Sequence, residues 1–172
     1  YIFLKENFLG KDFCDESIKV LSKAKWKTPW LAKPIDPQEQ KVNSDSPLES
    51  ELLDFNNIGN MALSGEMKKI EDEIMRNIPD VLMEYCNFLN FDWLQEWTGY
   101  SGIKFNRYSL GHGMMKHWDN ASHSFPELTG IAGLSTIGFL NDDYEGSDLI
   151  ICEDIKIDAK KGNLLLFPSS FI

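Results

Sequence analysis

Apolar side chains recur every three to four residues in two stretches of the first half of the chain. In residues 13–24 this spacing predicts a helix, with Asp12 available as its capping residue. In residues 63–89 the same period continues while charged side chains fill the opposite face, which predicts an amphipathic helical region that supports the fold. Because Pro79 lacks a backbone N–H, we expect it to divide this region near Ile78 into two packed helical segments.

After Gly99 the pattern changes to short strand-like segments that are separated by Gly, Asn and Asp. The predicted strands are 1–4 at the N-terminus and then 103–109, 114–119, 133–140, 148–152 and 163–167. The regular spacing of the last five is typical of a β-sandwich or barrel. Residues 28–47 contain four prolines among polar residues, which predicts a long surface loop.

The size and composition of the chain predict one globular domain. Its 172 residues, 42% of them hydrophobic, can bury a single core. We expect one domain over residues 1–172, with 1–98 as a helical support region and 99–172 as the β core. The formal net charge of -10 argues against a nucleic acid as partner, because binding a phosphate backbone requires a basic face.

Cysteine usage and hydropathy indicate the compartment. Cys14, Cys86 and Cys152 are widely spaced and form no CxxC pair, so neither a disulfide framework nor a zinc knuckle is predicted. No apolar run approaches the roughly 20 residues that span a bilayer, and the N-terminus has no basic-then-apolar signal pattern. The sequence therefore predicts a cytoplasmic protein that does not contact membranes, and it leaves the oligomeric state open.

His117 and Asp119 are the candidate metal ligands. In a strand, residues two apart project from the same face, so this imidazole and this carboxylate would converge. They would form two thirds of a facial triad for non-haem iron(II), and a distant histidine would complete it. The pair alone is a weak signal, because an edge-strand histidine can also pair with a nearby carboxylate without binding a metal.

Four ordered motifs around this pair resemble those of prolyl-4-hydroxylase-like 2-oxoglutarate oxygenases. The first reads RYSLG at 107–111 followed by HWDN at 117–120, and the second reads STIGFLN at 135–141. The third, EGSDL at 145–149, departs from the family's Glu-Gly-Gly-Glu-Leu at two positions, and the fourth is KGNLLLFPS at 161–169. The resemblance covers about residues 100–172.

The resemblance implies a fold and an activity. The fold would be mainly β with N-terminal helices, arranged as a double-stranded β-helix, which is a jelly-roll or cupin-like barrel. The activity would be that of an iron(II)- and 2-oxoglutarate-dependent dioxygenase that consumes O2, releases succinate and CO2, and allows ascorbate as an accessory cofactor. The substrate would be a prolyl residue in a peptide or protein, although related barrels also hydroxylate other side chains and small molecules.

The resemblance also assigns roles to residues. His117 and Asp119 would bind iron, and neither would act as a catalytic acid or base. Tyr108 would contact the cosubstrate. Its pocket would be lined by Ile137, Phe139 and Leu149. Ordinary core packing is the alternative role for all four pocket residues, and Phe139 stands where relatives often carry a tyrosine hydroxyl.

Two parts of the family site have no counterpart in the sequence. No histidine follows His123, and the basic residue that pairs with the far carboxylate of 2-oxoglutarate is absent as well. We expect both beyond Ile172, in C-terminal strands that this chain lacks. His112 and His123 are poor substitutes, because neither lies on a predicted strand that faces His117.

Two alternatives to the oxygenase remain open. One is a non-catalytic jelly-roll module, for binding or structure, that has lost its iron site. The other is a metal-dependent cupin with different chemistry. Residues 28–47 and 120–129 are expected to decide the substrate, and their sequence does not indicate which one.

Overall fold

Two helices and seven strands make up the described part of the chain. The computed structural model describes residues 1–24, 26, 50–54, 61–91, 99–100, 102–108, 117–119, 132–146 and 148–170. In chain order the elements are β1 Phe3–Lys5, α1 Lys11–Leu21, β2 Ser50–Asp54, α2 Met61–Leu89, β3 Lys104–Tyr108, β4 Leu134–Gly138, β5 Ile150–Ile151, β6 Ile155–Lys156 and β7 Leu164–Pro168. Neither helix in these ranges combines the length and the apolar composition needed to cross a bilayer.

All strand pairs are antiparallel and form three small sheets. The largest has the order β1-β7-β4, and the others pair β2 with β3 and β5 with β6. β1 and β2 belong to the first 98 residues and pair with strands of the second half. The region expected to be helical support therefore also supplies two strands of the sheets.

The central strand β7 is buried on both faces. On one face Leu164 and Leu166 pack against Val81 and Tyr85 of α2. Full burial of a leucine side chain stabilises a fold by about 1.5–3 kcal/mol, so these contacts hold the long helix against the sheet.

The opposite face of β7 carries the second half of this core. Leu165 and Phe167 pack against Ile151 and Ile157, and we call these four residues the inner cluster. Side chains alternate along a strand, which is why an uninterrupted apolar run such as LLLFP is typical of a strand covered on both sides.

A separate cluster joins both helices to β3. Leu21 of α1, Met67 and Ile70 of α2, and Phe105 of β3 are its buried members. The β2–β3 sheet is therefore packed on the helices through Phe105.

The predicted break at Pro79 is wrong, because α2 runs as one helix from Met61 to Leu89. Pro79 lies at an exposed position. Because proline has no backbone N–H, the carbonyl oxygen one turn earlier in the helix lacks its usual donor, and water can bind it there. Local sequence rules predict that a proline ends a helix. The packing of Val81 and Tyr85 against β7 instead favours continuation of the helix past Pro79.

The predicted cap of α1 is also wrong. Gly10 occupies the capping position and no side chain caps the helix. Asp12 lies in the first turn instead, where its carboxylate interacts favourably with the positive end of the helix dipole.

Four predicted strands are confirmed, β3 and β4 with shorter bounds and β1 and β7 with bounds shifted by one or two residues toward the C-terminus. Of 148–152, only Ile150–Ile151 is a strand. Neither β2 nor the two-residue β6 was predicted. The predicted loop at 28–47 and the predicted strand residues 114–116 lie outside the described residues.

Substitution of Gly162 should destabilise the fold more than substitution of Gly146. Both have positive φ, +87° and +76°, which costs about 1–3 kcal/mol for a residue with a side chain. A Cβ at Gly162 would also lie 2.4 Å from the carbonyl oxygen of Leu9, whereas a Cβ at Gly146 would meet nothing within 4 Å. We expect Gly162→Ala to lower the free energy of unfolding by at least about 3 kcal/mol and Gly146→Ala by about 1 kcal/mol, measured by denaturant titration. Equal losses would show that the contact with Leu9 costs nothing.

Candidate active site

His117 and Asp119 converge, as predicted, although not from a strand. The Nε2 atom of His117 lies 3.1 Å from Oδ1 of Asp119, and the side chains are 42% and 31% exposed. Residues 117 and 118 have no regular structure and Asp119 lies in a turn, so the strand prediction is wrong for these three residues. Here a turn, rather than the pleat of a strand, brings the two side chains together.

Asp119 interacts with Ser135 of β4, a strand of the largest sheet. A hydrogen bond with the Ser135 side chain is one of the causes that lower the pKa of the Asp119 carboxyl. The Ser135 Oγ in turn lies 2.9 Å from the Oγ of Ser169, a fully buried residue directly after β7. Three side chains therefore connect the turn to the end of the sheet.

Ser135, one of the groups that lower the pKa of Asp119, lies on the same strand as Ile137 of the predicted cosubstrate pocket. Residues two apart share a strand face, so Ser135 and Ile137 project to one side. Ile137, Phe139 and Leu149 all pack against the inner cluster. The three apolar residues predicted to line the pocket therefore pack against the same cluster.

Tyr108 lies in a different sheet. It ends β3, its backbone is opposite Ser50 of β2, and its side chain is 43% exposed. Burial of part of the ring raises the pKa of its phenol, so the hydroxyl stays protonated at neutral pH. Tyr108 therefore belongs to the β2–β3 sheet, whereas the other three predicted pocket residues pack against the inner cluster.

The fold is similar to that of a prolyl-4-hydroxylase from Pseudomonas putida. The two structures match with a TM-score of 0.51 and 12% sequence identity, over 98% of this chain and 81% of that one. At this identity the likeness concerns the fold alone. No model of a known protein family matches the sequence, and no curated protein matches it either.

Asp119 is held in its charged form. Burial by itself would raise the pKa of this carboxyl, but hydrogen bonds with His117 and Ser135, together with attraction to His117, outweigh burial and lower the pKa. The carboxylate is therefore ionised at neutral pH, which is the form that binds a cation.

The chemistry of the donor set fits part of an iron(II) site. An imidazole nitrogen beside a carboxylate oxygen supplies two of the three donors of a facial triad. In the part of the chain that the structure describes, no group of three His, Cys, Asp or Glu side chains could hold a metal ion. His112 and His123, the candidate substitutes, lie outside that part.

Ser135 and Ser169 were missed as site residues by sequence reasoning. A signal for Ser135 existed, because its alternation with Ile137 places it on the pocket face of the predicted strand. No comparable signal marked Ser169, since its role depends on the pairing of β4 with β7. That pairing joins segments that are distant in sequence.

The lowered pKa of Asp119 predicts a specific acid response of the metal-free protein. A carboxyl whose pKa is lower in the folded state stabilises the fold above its ordinary pKa of about 4, and this contribution is lost as the pH falls through the folded value. NMR titration of the Asp119 carboxyl carbon should give a midpoint below about 4. In His117→Ala the midpoint should rise, because one hydrogen bond and one attraction are lost. An unchanged midpoint in this variant would contradict the role given to His117.

Proposed function

We propose that this chain carries the site of an iron(II)- and 2-oxoglutarate-dependent oxygenase on a double-stranded β-helix, and that the enzyme hydroxylates its substrate. The observation that carries the proposal is the contact between His117 and Asp119, whose Nε2 and Oδ1 atoms are 3.1 Å apart. His117 and Asp119 supply two of the three protein ligands in this proposal.

Two independent lines support the proposal. The sequence contains four motifs in the order found in prolyl-4-hydroxylase-like oxygenases, and the fold resembles that of the P. putida prolyl-4-hydroxylase.

Each residue of the proposed site has a definite task. His117 and Asp119 hold the metal, and the ionised carboxylate offsets part of its charge. Ile137, Phe139 and Leu149 form an apolar wall that excludes water from the cosubstrate. Tyr108 donates a hydrogen bond from its protonated phenol. When bound, iron(II) and 2-oxoglutarate supply the oxidative chemistry, which consumes O2 and yields succinate, CO2 and a hydroxylated product.

For the substrate, we propose a prolyl residue in a peptide or protein. Trp118 lies between the two ligands in sequence, and 69% of its surface is exposed. A flat indole face next to the metal suits a saturated ring, because an aromatic surface offers a large apolar contact.

Loss of either ligand should abolish turnover. We expect His117→Ala and Asp119→Ala to lower 2-oxoglutarate-dependent succinate formation and metal affinity by at least about 100-fold each. Asp154→Ala removes an exposed carboxylate and serves as the control. Turnover that survives in His117→Ala would overturn the proposal. Metal binding without succinate would indicate a cupin with other chemistry, and no metal binding would indicate the non-catalytic module.

Removal of the Trp118 ring should affect substrate binding alone. We expect Trp118→Ala to raise KM for a synthetic proline-rich peptide by about 10-fold, the equivalent of about 1.4 kcal/mol of lost contact, and to leave KM for 2-oxoglutarate unchanged. Tyr144→Ala removes another exposed aromatic ring and is the control. An unchanged peptide KM would remove Trp118 from the substrate site.

A further inference from the structure

Arg107, the residue before Tyr108 in β3, is stacked on the side chain of Trp26. Its guanidinium carbon lies 4.6 Å from the centre of the indole ring. This distance is within the roughly 6 Å over which the negative face of an aromatic ring attracts a cation. The guanidinium is planar and always charged, so it stacks on the ring and is attracted to it as well. The end of β3 is therefore joined to a residue that follows α1.

Trp26 is itself fixed by two contacts. Its indole N–H donates to the carbonyl oxygen of Leu21, the last residue of α1, at 3.1 Å. Its ring packs against the buried cluster of Leu21, Met67, Ile70 and Phe105. The indole is held at its polar edge and along its apolar body, so it offers the guanidinium a fixed surface.

The two anchors of β3 lie on one face of the strand, and Tyr108 lies on the other. Residues two apart in a strand share a face, so Phe105 and Arg107 project together while Tyr108 projects to the opposite side. Phe105 is buried among the helices, and Arg107 contacts Trp26 beside the same cluster. Two anchors on one face restrain the end of β3 from rotating about the strand axis, and this sets the direction of the Tyr108 side chain.

We propose that Arg107 is a positioning residue that fixes the direction of the Tyr108 side chain and, through it, the binding of 2-oxoglutarate. This inference rests on the proposed function, in which the Tyr108 phenol donates a hydrogen bond to the cosubstrate. Arg107 acts through Tyr108, because its own side chain projects from the opposite face of β3.

The first test follows the Tyr108 phenol without any ligand, by NMR titration of its ring carbon. Burial raises the pKa of this phenol in the wild type. In Arg107→Ala we expect the pKa to fall toward its ordinary value of about 10, because a loosened strand end exposes the ring. Loss of a positive charge alone would shift the pKa upward, so the two effects have opposite signs. An unchanged or a higher pKa would overturn the inference.

The second test is a double-mutant cycle on KM for 2-oxoglutarate, measured through succinate formation. We expect Arg107→Ala and Tyr108→Phe each to raise this KM by about 5- to 10-fold. The double variant should be no worse than Tyr108→Phe alone, because without the Tyr108 hydroxyl there is nothing left for Arg107 to position. Effects that multiply in the double variant would show that Arg107 acts directly or through the fold in general, and the inference would be wrong.

Two conservative variants and one control accompany both tests. Arg107→Lys keeps a cation but loses the planar stack, and Trp26→Phe keeps a ring but offers a weaker aromatic face. Both should lie between the wild type and Arg107→Ala in the Tyr108 pKa and in KM. Lys104→Ala removes an exposed cation from the other end of β3 and should leave both quantities unchanged. A change as large in Lys104→Ala as in Arg107→Ala would assign the effect to charge in general and contradict the inference.

Denaturant unfolding of each variant separates positioning from a general loss of stability. If Arg107→Ala is less stable but has the wild-type Tyr108 pKa and KM, the stacking on Trp26 has only a structural role and the inference is wrong. If Arg107→Ala fails to fold, Arg107→Lys and Trp26→Phe decide, and wild-type values of both quantities in these two variants contradict the inference.

The outcomes also distinguish this inference from the proposed function. Succinate formation by the wild type, with an unchanged Tyr108 pKa and KM in Arg107→Ala, would overturn the inference alone. A wild type that forms no succinate would overturn the proposed function, and the ligand-free pKa of Tyr108 would still decide whether Arg107 fixes this side chain. A normal KM in Tyr108→Phe would overturn the role given to Tyr108 in binding 2-oxoglutarate.

Discussion

The burial of β7 on both faces is the constraint on which the rest of the described structure depends. On one face its leucines pack against α2, and on the other face Leu165 and Phe167 pack against Ile151 and Ile157. β1 and β4 pair with its two edges. A strand held from four directions has little freedom to shift. The position of β4, which pairs with β7 over five residues, follows from this packing.

The elements that sequence could predict are those whose local signal agrees with the tertiary packing. β7 is an unbroken apolar run that begins shortly after a turn at Gly162, and both features are visible in sequence. β2 reads SELLD, without clean alternation, and exists because it pairs with the whole of β3. Pro79 is the opposite case, because a local rule that usually holds is overridden by the contacts that α2 makes along the sheet.

The contact between His117 and Asp119 was predictable from their spacing, and its geometry was less so. The two-residue spacing of His117 and Asp119 predicted that their side chains converge, and they do. The hydrophobic pattern predicted a strand here, whereas the structure has a turn at Asp119. Their anchor on β4 could not be foreseen, because Ser135 meets Asp119 through a tertiary contact rather than through a local pattern. Ile137, Phe139 and Leu149 pack against the inner cluster, whereas Tyr108 belongs to another sheet.

The contact between His117 and Asp119 has a further consequence for metal binding. Without a metal, the two side chains satisfy each other, and the imidazole helps to keep the carboxylate ionised. A cation must replace this interaction, so its net binding energy is the gain from coordination less the loss of the His117–Asp119 hydrogen bond. Such a pair binds a metal weakly when it acts alone, since two donors must offset that loss together with the desolvation of the ion. A third donor adds affinity without breaking any further contact within the pair, and this explains physically why a site of this kind depends so strongly on its third ligand.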